Sequence, residues 1–426
     1  MRLTLFFFTF FAFSCSSGSQ STEPTLDSVA EEYVKLVLVI GDYDKDFVDA
    51  YYGPEEWKPT EYKDQLPFEE LKWQTISLLD KLETLGNQNI DSLQLLRLKF
   101  MHKQLVAVKT RLDVLGGFTM PFDVESMVLY DAVSPSYDTA HYNSFLENLE
   151  MELPGEASLA TKYLEYSNIF VIDSALVDSV FQTAIAEARR RTMLHMELPE
   201  GESFRIEYVT EKPWSAYNWY KGEFNSLIQV NIDLPITIDR VIDLACHEGY
   251  PGHHVFNAML EKNLVNDQGM VEFSVYPLFS PQSLIAEGTA NYGIEMAFPG
   301  AERLKYEKEV LFPLVGINPD LADKYYRIQN LRAKLNYAGN EAARAYLNGQ
   351  TSREQAAAWI EKYNLYSPER ALQRTEFMDR YRSYVINYNL GKDLVEAYVS
   401  ENSDSVARWD SFKTLLTSPR IASTLN

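Results

Sequence analysis

Cys246-His247-Glu248-Gly249-Tyr250-Pro251-Gly252-His253-His254 places three of the six histidines of the chain within eight residues, next to a glutamate. A zinc site with an open position needs this kind of grouping: neutral imidazoles and a carboxylate hold the ion, and a fourth position is left for water. In the familiar helical form, His-Glu-x-x-His, the i, i+4 spacing puts both imidazoles on one face and leaves the Glu as general base. Here the interval is two residues longer. On a straight helix His253 stands about 240° round from His247, and the two rings cannot share an ion. Pro251 and Gly252 lie inside the interval, however. Proline removes a helical donor and glycine relieves the backbone, so a kink or bulge is expected. With two residues looped out before Gly252-His253, the geometry is restored. His254 is aligned with His247 in angle but lies about 10 Å along a straight axis. His253 is therefore the expected ligand, and His254 a neighbour placed to donate to a substrate oxygen.

A third ligand is expected from a later helix. Ser280-Pro281 is a helix start, with Ser as cap and Pro in the first turn. The segment from Pro281 to about Phe298 sets Glu287, Asn291 and Glu295 along one stripe. Glu287 is the expected ligand, with Asn291 bonding a ligating histidine from behind and Glu295 as the rival carboxylate. Upstream, Phe224 to Ile232 reads as a strand leading to the histidine helix, and such a strand often forms the edge on which an extended peptide lies. Cys246, adjacent to His247, points about 100° away from it on a helix and reads as a small buried residue.

The remainder is mostly helical. Apolar residues recur at three- and four-residue spacing over Val29 to Ile40, Phe68 to Leu85 and Ile90 to Leu115, the last ended by Gly116-Gly117. Phe118 to Tyr137 reads as loop-rich, with turn signals at Met120-Pro121 and Ser134-Pro135. Helices are expected at about 141–152, 156–168 and 172–192, strands at 203–210 and 226–232, and helix again at 237–250. After that, helices are broken by Pro313, Asn318-Pro319, Gly349 and Ser367-Pro368. The chain divides on this reading into 26–200, a helical N-terminal portion, and 201–426, a catalytic portion with C-terminal helices.

Of the 426 residues, 46% are hydrophobic, which is enough for a large core and rules out wholesale disorder. Asp and Glu number 61 against 39 Lys and Arg, a net charge of -22, which repels phosphate backbones and makes nucleic acid a poor partner. The two cysteines exclude a disulfide framework. Met1-Arg2 followed by the apolar run Leu3 to Phe13 has the form of a secretory signal. It ends at Ala12-Phe13-Ser14-Cys15, before a small polar tether. Residues 1–14 thus resemble a bacterial lipoprotein signal, with 15–25 as tether. That resemblance implies export and a lipid on Cys15. Ser16, where Asp is absent, implies the outer membrane.

His247 to His254 resembles the signature of the bacterial family called domain of unknown function 885, whose members are regarded as zincin-like metallopeptidases, many of them lipoproteins. The likeness covers roughly residues 200 to 400. It extends to Glu287-Gly288-Thr289-Ala290-Asn291-Tyr292, where relatives tend to have Glu-Gly-Trp-Ala-Leu-Tyr, to Gly349-Gln350-Thr351-Ser352-Arg353-Glu354-Gln355-Ala356, and to Tyr388-Asn389-Leu390-Gly391. Thr289, Asn291 and Tyr346 depart from the pattern, as does Arg382-Ser383-Tyr384-Val385. The resemblance implies a mainly α, zincin-like fold: a helical globule with a small active-site β-sheet and a cleft, like the helical oligopeptidases and carboxypeptidase Taq. Zn2+ is then expected on His247, His253 and Glu287. Glu248 is the expected general base, and His254 or a tyrosine, Tyr384 or Tyr388, the donor to the oxyanion. The expected substrate is a short peptide. A metal-dependent hydrolase of non-peptide amides or esters, and an inactive lipoprotein that binds metal or peptide, are the alternatives.

Overall fold

The computed structural model describes residues 24–59, 66–87, 90–212 and 214–425; the segment 1–14 expected to be a signal, and Cys15, lie outside them. The helices start where capping residues place them. Thr25 and Ser28 form a capping box for helix Leu26–Tyr43, and Asp91 accepts from the Gln94 amide at the head of helix Ser92–Leu115. The first helix buries Val29, Ala30, Tyr33, Val34, Val37 and Ile40, an apolar stripe at three- and four-residue spacing that faces the core. Each of the valine and isoleucine side chains contributes on the order of 1.5–3 kcal/mol when fully removed from water. Helices Phe68–Gly86, Thr139–Glu152, Leu159–Ser167 and Val177–Met193 follow. The stretch expected as loop between residues 118 and 137 contains a further helix, Phe122–Tyr130. Its Met120-Pro121 pair is a helix start: Pro121 precedes the first turn, and Phe122, Leu129 and Tyr130 anchor the helix in the core.

Five strands are present among the described residues: β1 (Val48–Tyr51), β2 (Ser203–Val209), β3 (Ala216–Gly222), β4 (Asn225–Asn231) and β5 (Val275–Pro277). β1 and β5 form an antiparallel pair. The other sheet has the order β2-β4-β3, with β2 parallel and β3 antiparallel to β4. β3 escapes the period-two rule because the alternating buried positions include Asn218 as well as Tyr220 and Gly222. Its presence corrects the expectation that Phe224 to Ile232 offers a free edge. β4 is paired on both sides, and β2 and β3 are the edges of this sheet.

After β4 the chain forms helix Ile238–Leu244, a single π turn over Ala245–Gly249, and helix His253–Leu260. The glutamate-bearing helix is Pro281–Ala297, with Pro281 in its first turn. The Ser280 hydroxyl does not cap it but donates to the Pro277 carbonyl at 2.7 Å. C-terminal helices include Ala322–Ala333, Ala338–Leu347, Arg353–Asn364, Pro368–Tyr381 and Ile386–Ser400. One core runs from Val29 to Leu425 and draws on both sides of residue 200. A satellite cluster packs Tyr142, Leu149 and Tyr163 against Ile328, Leu335 and Tyr363. No helix of the described residues is long and apolar enough to cross a membrane.

Two glycines permit the approaches that build the centre. A Cβ on Gly252 would stand 2.0 Å from the His247 carbonyl oxygen and 2.3 Å from that of Cys246. A Cβ on Gly288 would meet the Gly391 carbonyl oxygen at 2.4 Å, where helices Pro281–Ala297 and Ile386–Ser400 cross. Gly252→Ala is therefore expected to cost about 3 kcal/mol or more, read by urea denaturation of the chain lacking residues 1–15. Gly86→Ala, whose Cβ meets only Leu98 at 3.7 Å, is the control and should be neutral or mildly stabilising. Equal effects of the two exchanges would contradict the crowding at Gly252.

Candidate metal centre

The π turn supplies the looping-out that the long spacing requires. The Tyr250 amide donates to the Ala245 carbonyl at 3.1 Å and the Gly252 amide to the Cys246 carbonyl at 2.9 Å, so the chain turns back on itself. Gly252 then caps the helix that begins at His253. The result is that the rings of His247 and His253 meet edge to face, with centroids 4.7 Å apart. Glu287 completes the group from the facing helix. One ligand atom from each of His247, His253 and Glu287 lies within 4.8 Å of the others.

Glu287 Oε2 is 3.5 Å from His247 Nε2 and 3.8 Å from His253 Nε2. Two atoms bound at about 2.1 Å to one tetrahedral ion lie about 3.4 Å apart, so these separations suit a shared cation. They are too long for good hydrogen bonds, and Glu287 Oε2 is buried with no hydrogen-bond partner. Such an orphaned carboxylate oxygen costs about 1–3 kcal/mol or more unless something neutralises it. Its partner atom Oε1 accepts from the Tyr384 hydroxyl at 2.8 Å. Two imidazoles and a carboxylate with one oxygen aimed at them form a donor set that fits zinc.

Glu248 follows His247 in the π turn and is buried. Asn218 of β3 holds its backbone, donating to the Glu248 carbonyl at 2.7 Å. Burial, reinforced by the charge of Glu287, pushes the Glu248 carboxyl up to about 8. Burial likewise raises Glu287 to about 8, against the lowering hydrogen bond from Tyr384. The imidazoles move the other way. Burial lowers His253 to about 4, and burial together with the His253 charge lowers His247 well below its ordinary range. Both rings are thus neutral at neutral pH, the form that binds a metal. Asp49 of β1, bonded by the Tyr217 hydroxyl, adds a further carboxylate whose charge acts on both glutamates.

The remaining expectations sort by geometry. Glu295 lies outside the group, on the exposed side of its helix, 3.8 Å from Lys392. Asn291 donates to the Glu287 carbonyl at 2.9 Å and the Tyr388 carbonyl at 3.2 Å, and its side chain is the neighbour that favours the protonated form of His247. Cys246 is fully buried and burial holds its thiol protonated. Tyr388 stands beside the centre, its phenol raised first by burial and then by the charge of Glu287. Tyr384 is spent on Glu287 and acts as its support.

His254 is a correction. It is wholly buried and turned away from His247 and His253, because successive helical residues point about 100° apart. Its Nδ1 pairs with Ser226 Oγ and its Nε2 with Glu202 Oε2, each at 2.9 Å. No ring nitrogen remains for a substrate. Glu202 also accepts from Tyr250 at 2.6 Å and from Arg189, so it ties the histidine turn to the sheet and to helix Val177–Met193. Sequence reasoning missed Glu202 because its partners lie 13 to 52 residues away and no local pattern marks it.

No protein-family model matches the sequence, and no curated protein matches it. Among solved structures, the fold is similar to that of a candidate lipoprotein from Colwellia psychrerythraea, with a TM-score of 0.51 and 12% identity over 87% of this chain and 69% of that one. A candidate lipoprotein of unknown function from Shewanella oneidensis gives a TM-score of 0.48 and 12% identity over 84% and 72% of the two chains.

The raised carboxyls fix a pH dependence for the metal-free protein. A glutamate that holds its proton more tightly folded than unfolded contributes stability that is complete below about 4.5 and is lost as the pH rises to about 8. The lowered imidazoles oppose this only up to their unfolded value, 6.5. Between pH 6.5 and 8 the chelator-treated chain should therefore lose stability as pH rises, by up to about 1.4 kcal/mol per pH unit for each carboxyl. Glu248→Gln should flatten that slope in denaturant titrations. A slope unchanged in the variant would contradict the assignment to this pair.

Proposed function

We propose that this protein is an exported, zinc-dependent peptidase acting on short peptides. The observation that carries this reading is the orphaned, buried Glu287 Oε2 facing two neutral imidazoles, with Glu248 buried alongside. His247, His253 and Glu287 would hold the zinc. Zinc held there supplies Lewis acidity toward a water and a carbonyl oxygen. The chain's own groups do the rest. Glu248, as the carboxylate, takes the proton of the attacking water and delivers it to the leaving amine. Tyr388 offers its phenol to the oxyanion, and Tyr384 holds Glu287 in place. Asn291 and Asn218 fix the backbone on either side, so that the reacting groups are held by rigid elements.

The likeness of the motifs to the domain of unknown function 885 family supports the peptidase assignment. The Ser14-Cys15 motif and the candidate-lipoprotein status of the Colwellia protein support attachment to the cell envelope, with the outer membrane favoured by Ser16. The test is metal content and turnover of the chain lacking residues 1–15. We expect about one zinc per chain, lost in His247→Ala and kept in Glu248→Gln. Hydrolysis of a mixture of short peptides, followed by mass spectrometry, should fall roughly 100- to 10,000-fold in Glu248→Gln. A wild type that binds no metal when zinc is supplied, or turnover that survives Glu248→Gln, would overturn the proposal. Cleavage of esters or non-peptide amides with no peptide cleavage would move the activity to another hydrolase class.

A further inference from the structure

In a chain of net charge -22, nearly any guanidinium can find a carboxylate. Arg380 pairs with both carboxylate oxygens of Asp46, at 2.7 and 2.6 Å, and Arg327 pairs with Glu152 at 3.1 Å. Arg332, Arg370 and Arg374 do not. Among the described residues, none of the three has a carboxylate within salt-bridge distance or a hydrogen bond from its guanidinium; each lies instead over an aromatic ring. Arg332 lies over Tyr163 at 5.1 Å, Arg370 over Tyr366 at 4.8 Å and Arg374 over Phe377 at 4.2 Å. Arg370 is exposed, and Arg332 and Arg374 are half-buried.

Three separate chain segments bring these charges together. Arg332 ends helix Ala322–Ala333, and Arg370 and Arg374 lie one turn apart on helix Pro368–Tyr381. Arg240 comes from helix Ile238–Leu244. All four charges act on the phenol of Tyr366 and pull it below its ordinary range despite burial. Partial removal from water lowers Arg370, and the charges of Arg332, Arg240 and Arg374 add to that lowering. Local rules disfavour the arrangement further. Arg370 and Arg374 form a like-charge i, i+4 pair, and Arg370 sits in the first turn of its helix, where the backbone dipole repels a cation. Arg240 has Asp243 at 3.2 Å, but the other three cations are left without an anion, and that points to a missing one.

The cluster adjoins the metal centre. Helix Ile238–Leu244, which carries Arg240, runs directly into the π turn of His247 and Glu248. On the other side, the Phe377 ring beneath Arg374 is 6.5 Å from the ring of Tyr388. We propose that Arg240, Arg332, Arg370 and Arg374 form a subsite that holds a carboxylate of the substrate, beside the centre where the scissile amide is cut. Planar guanidiniums match a carboxylate in two-point fashion, and several together discriminate strongly against its neutral amide. The carboxylate is either the free C-terminus of the peptide or an acidic side chain within it. The assignment of a peptide substrate rests on the proposed function; the anion subsite itself does not.

The test is calorimetric binding to zinc-loaded Glu248→Gln protein, using matched probes. One pair is acetyl-Gly-Phe and its C-terminal amide, which reads a free terminus. The other is acetyl-Glu-Phe-amide and acetyl-Gln-Phe-amide, which reads an acidic side chain. The carboxylate member of at least one pair should bind tenfold or more tightly. Arg370→Gln combined with Arg374→Gln should erase that preference, leave the zinc content unchanged and melt no lower than its parent, because repulsion is removed. Arg332→Gln, on a different helix, should weaken the preference in the same direction and covers the case of a misfolded double variant. Equal affinities within both pairs, absence of binding by every probe, or a preference that survives the arginine exchanges would overturn the subsite. If wild-type protein cleaves none of these or other peptides while the carboxylate preference stands, the peptidase reading fails and the subsite remains.

Discussion

The carbonyl oxygens of Cys246 and His247 occupy the space where a side chain on residue 252 would begin, 2.3 and 2.0 Å from its Cβ position. That contact is possible only for glycine, and the rest of the centre depends on it. With Gly252 seated against the π turn, the His253 ring is returned to the side of His247 in spite of a spacing that a straight helix would not tolerate. A second contact of the same kind, Gly288 against Gly391, lets two helices cross closely enough for Tyr384 to reach Glu287. The centre is thus built by close backbone approach, which fixes distances more firmly than long side chains do.

Charge is distributed unevenly around this frame. Carboxylates of buried Glu248 and Glu287 and of half-buried Asp49 crowd one spot, each held high by removal from water. Four arginines crowd the next, three of them without a carboxylate among the described residues. A protein selected only for stability would pair these two groups with each other. Keeping them apart leaves one place suited to a cation and a neighbouring place suited to an anion, as expected where stability is sacrificed to function. The fully satisfied Glu202 network beneath the histidine turn shows the contrast: every polar atom of His254 is occupied, and the residue is structural.

The helices carried by strong three- and four-residue spacing, such as Leu26–Tyr43 and Ser92–Leu115, were legible from sequence, because burial of one face decides both pattern and structure. The kink at Pro251-Gly252 was legible too, since both residues act locally. Helix Phe122–Tyr130 was hidden by its brevity and by a Pro that starts a helix as readily as it marks a turn. β3 was hidden by Asn218, a polar residue facing inward to hold the Glu248 backbone. The orientation of His254 and the division of labour between Tyr384 and Tyr388 depend on partners far away in the chain, Glu202 and Glu287. The arginine subsite joins residues 240, 332, 370 and 374, which no sequence window contains.

The central claim is that His247, His253 and Glu287 share one ion. Anomalous scattering at the zinc absorption edge, from crystals grown with zinc, tests it directly. The account predicts one dominant peak bonded at about 2.0–2.2 Å to a ring nitrogen of each histidine and to a Glu287 oxygen. A peak elsewhere, or none between these three residues, would contradict it.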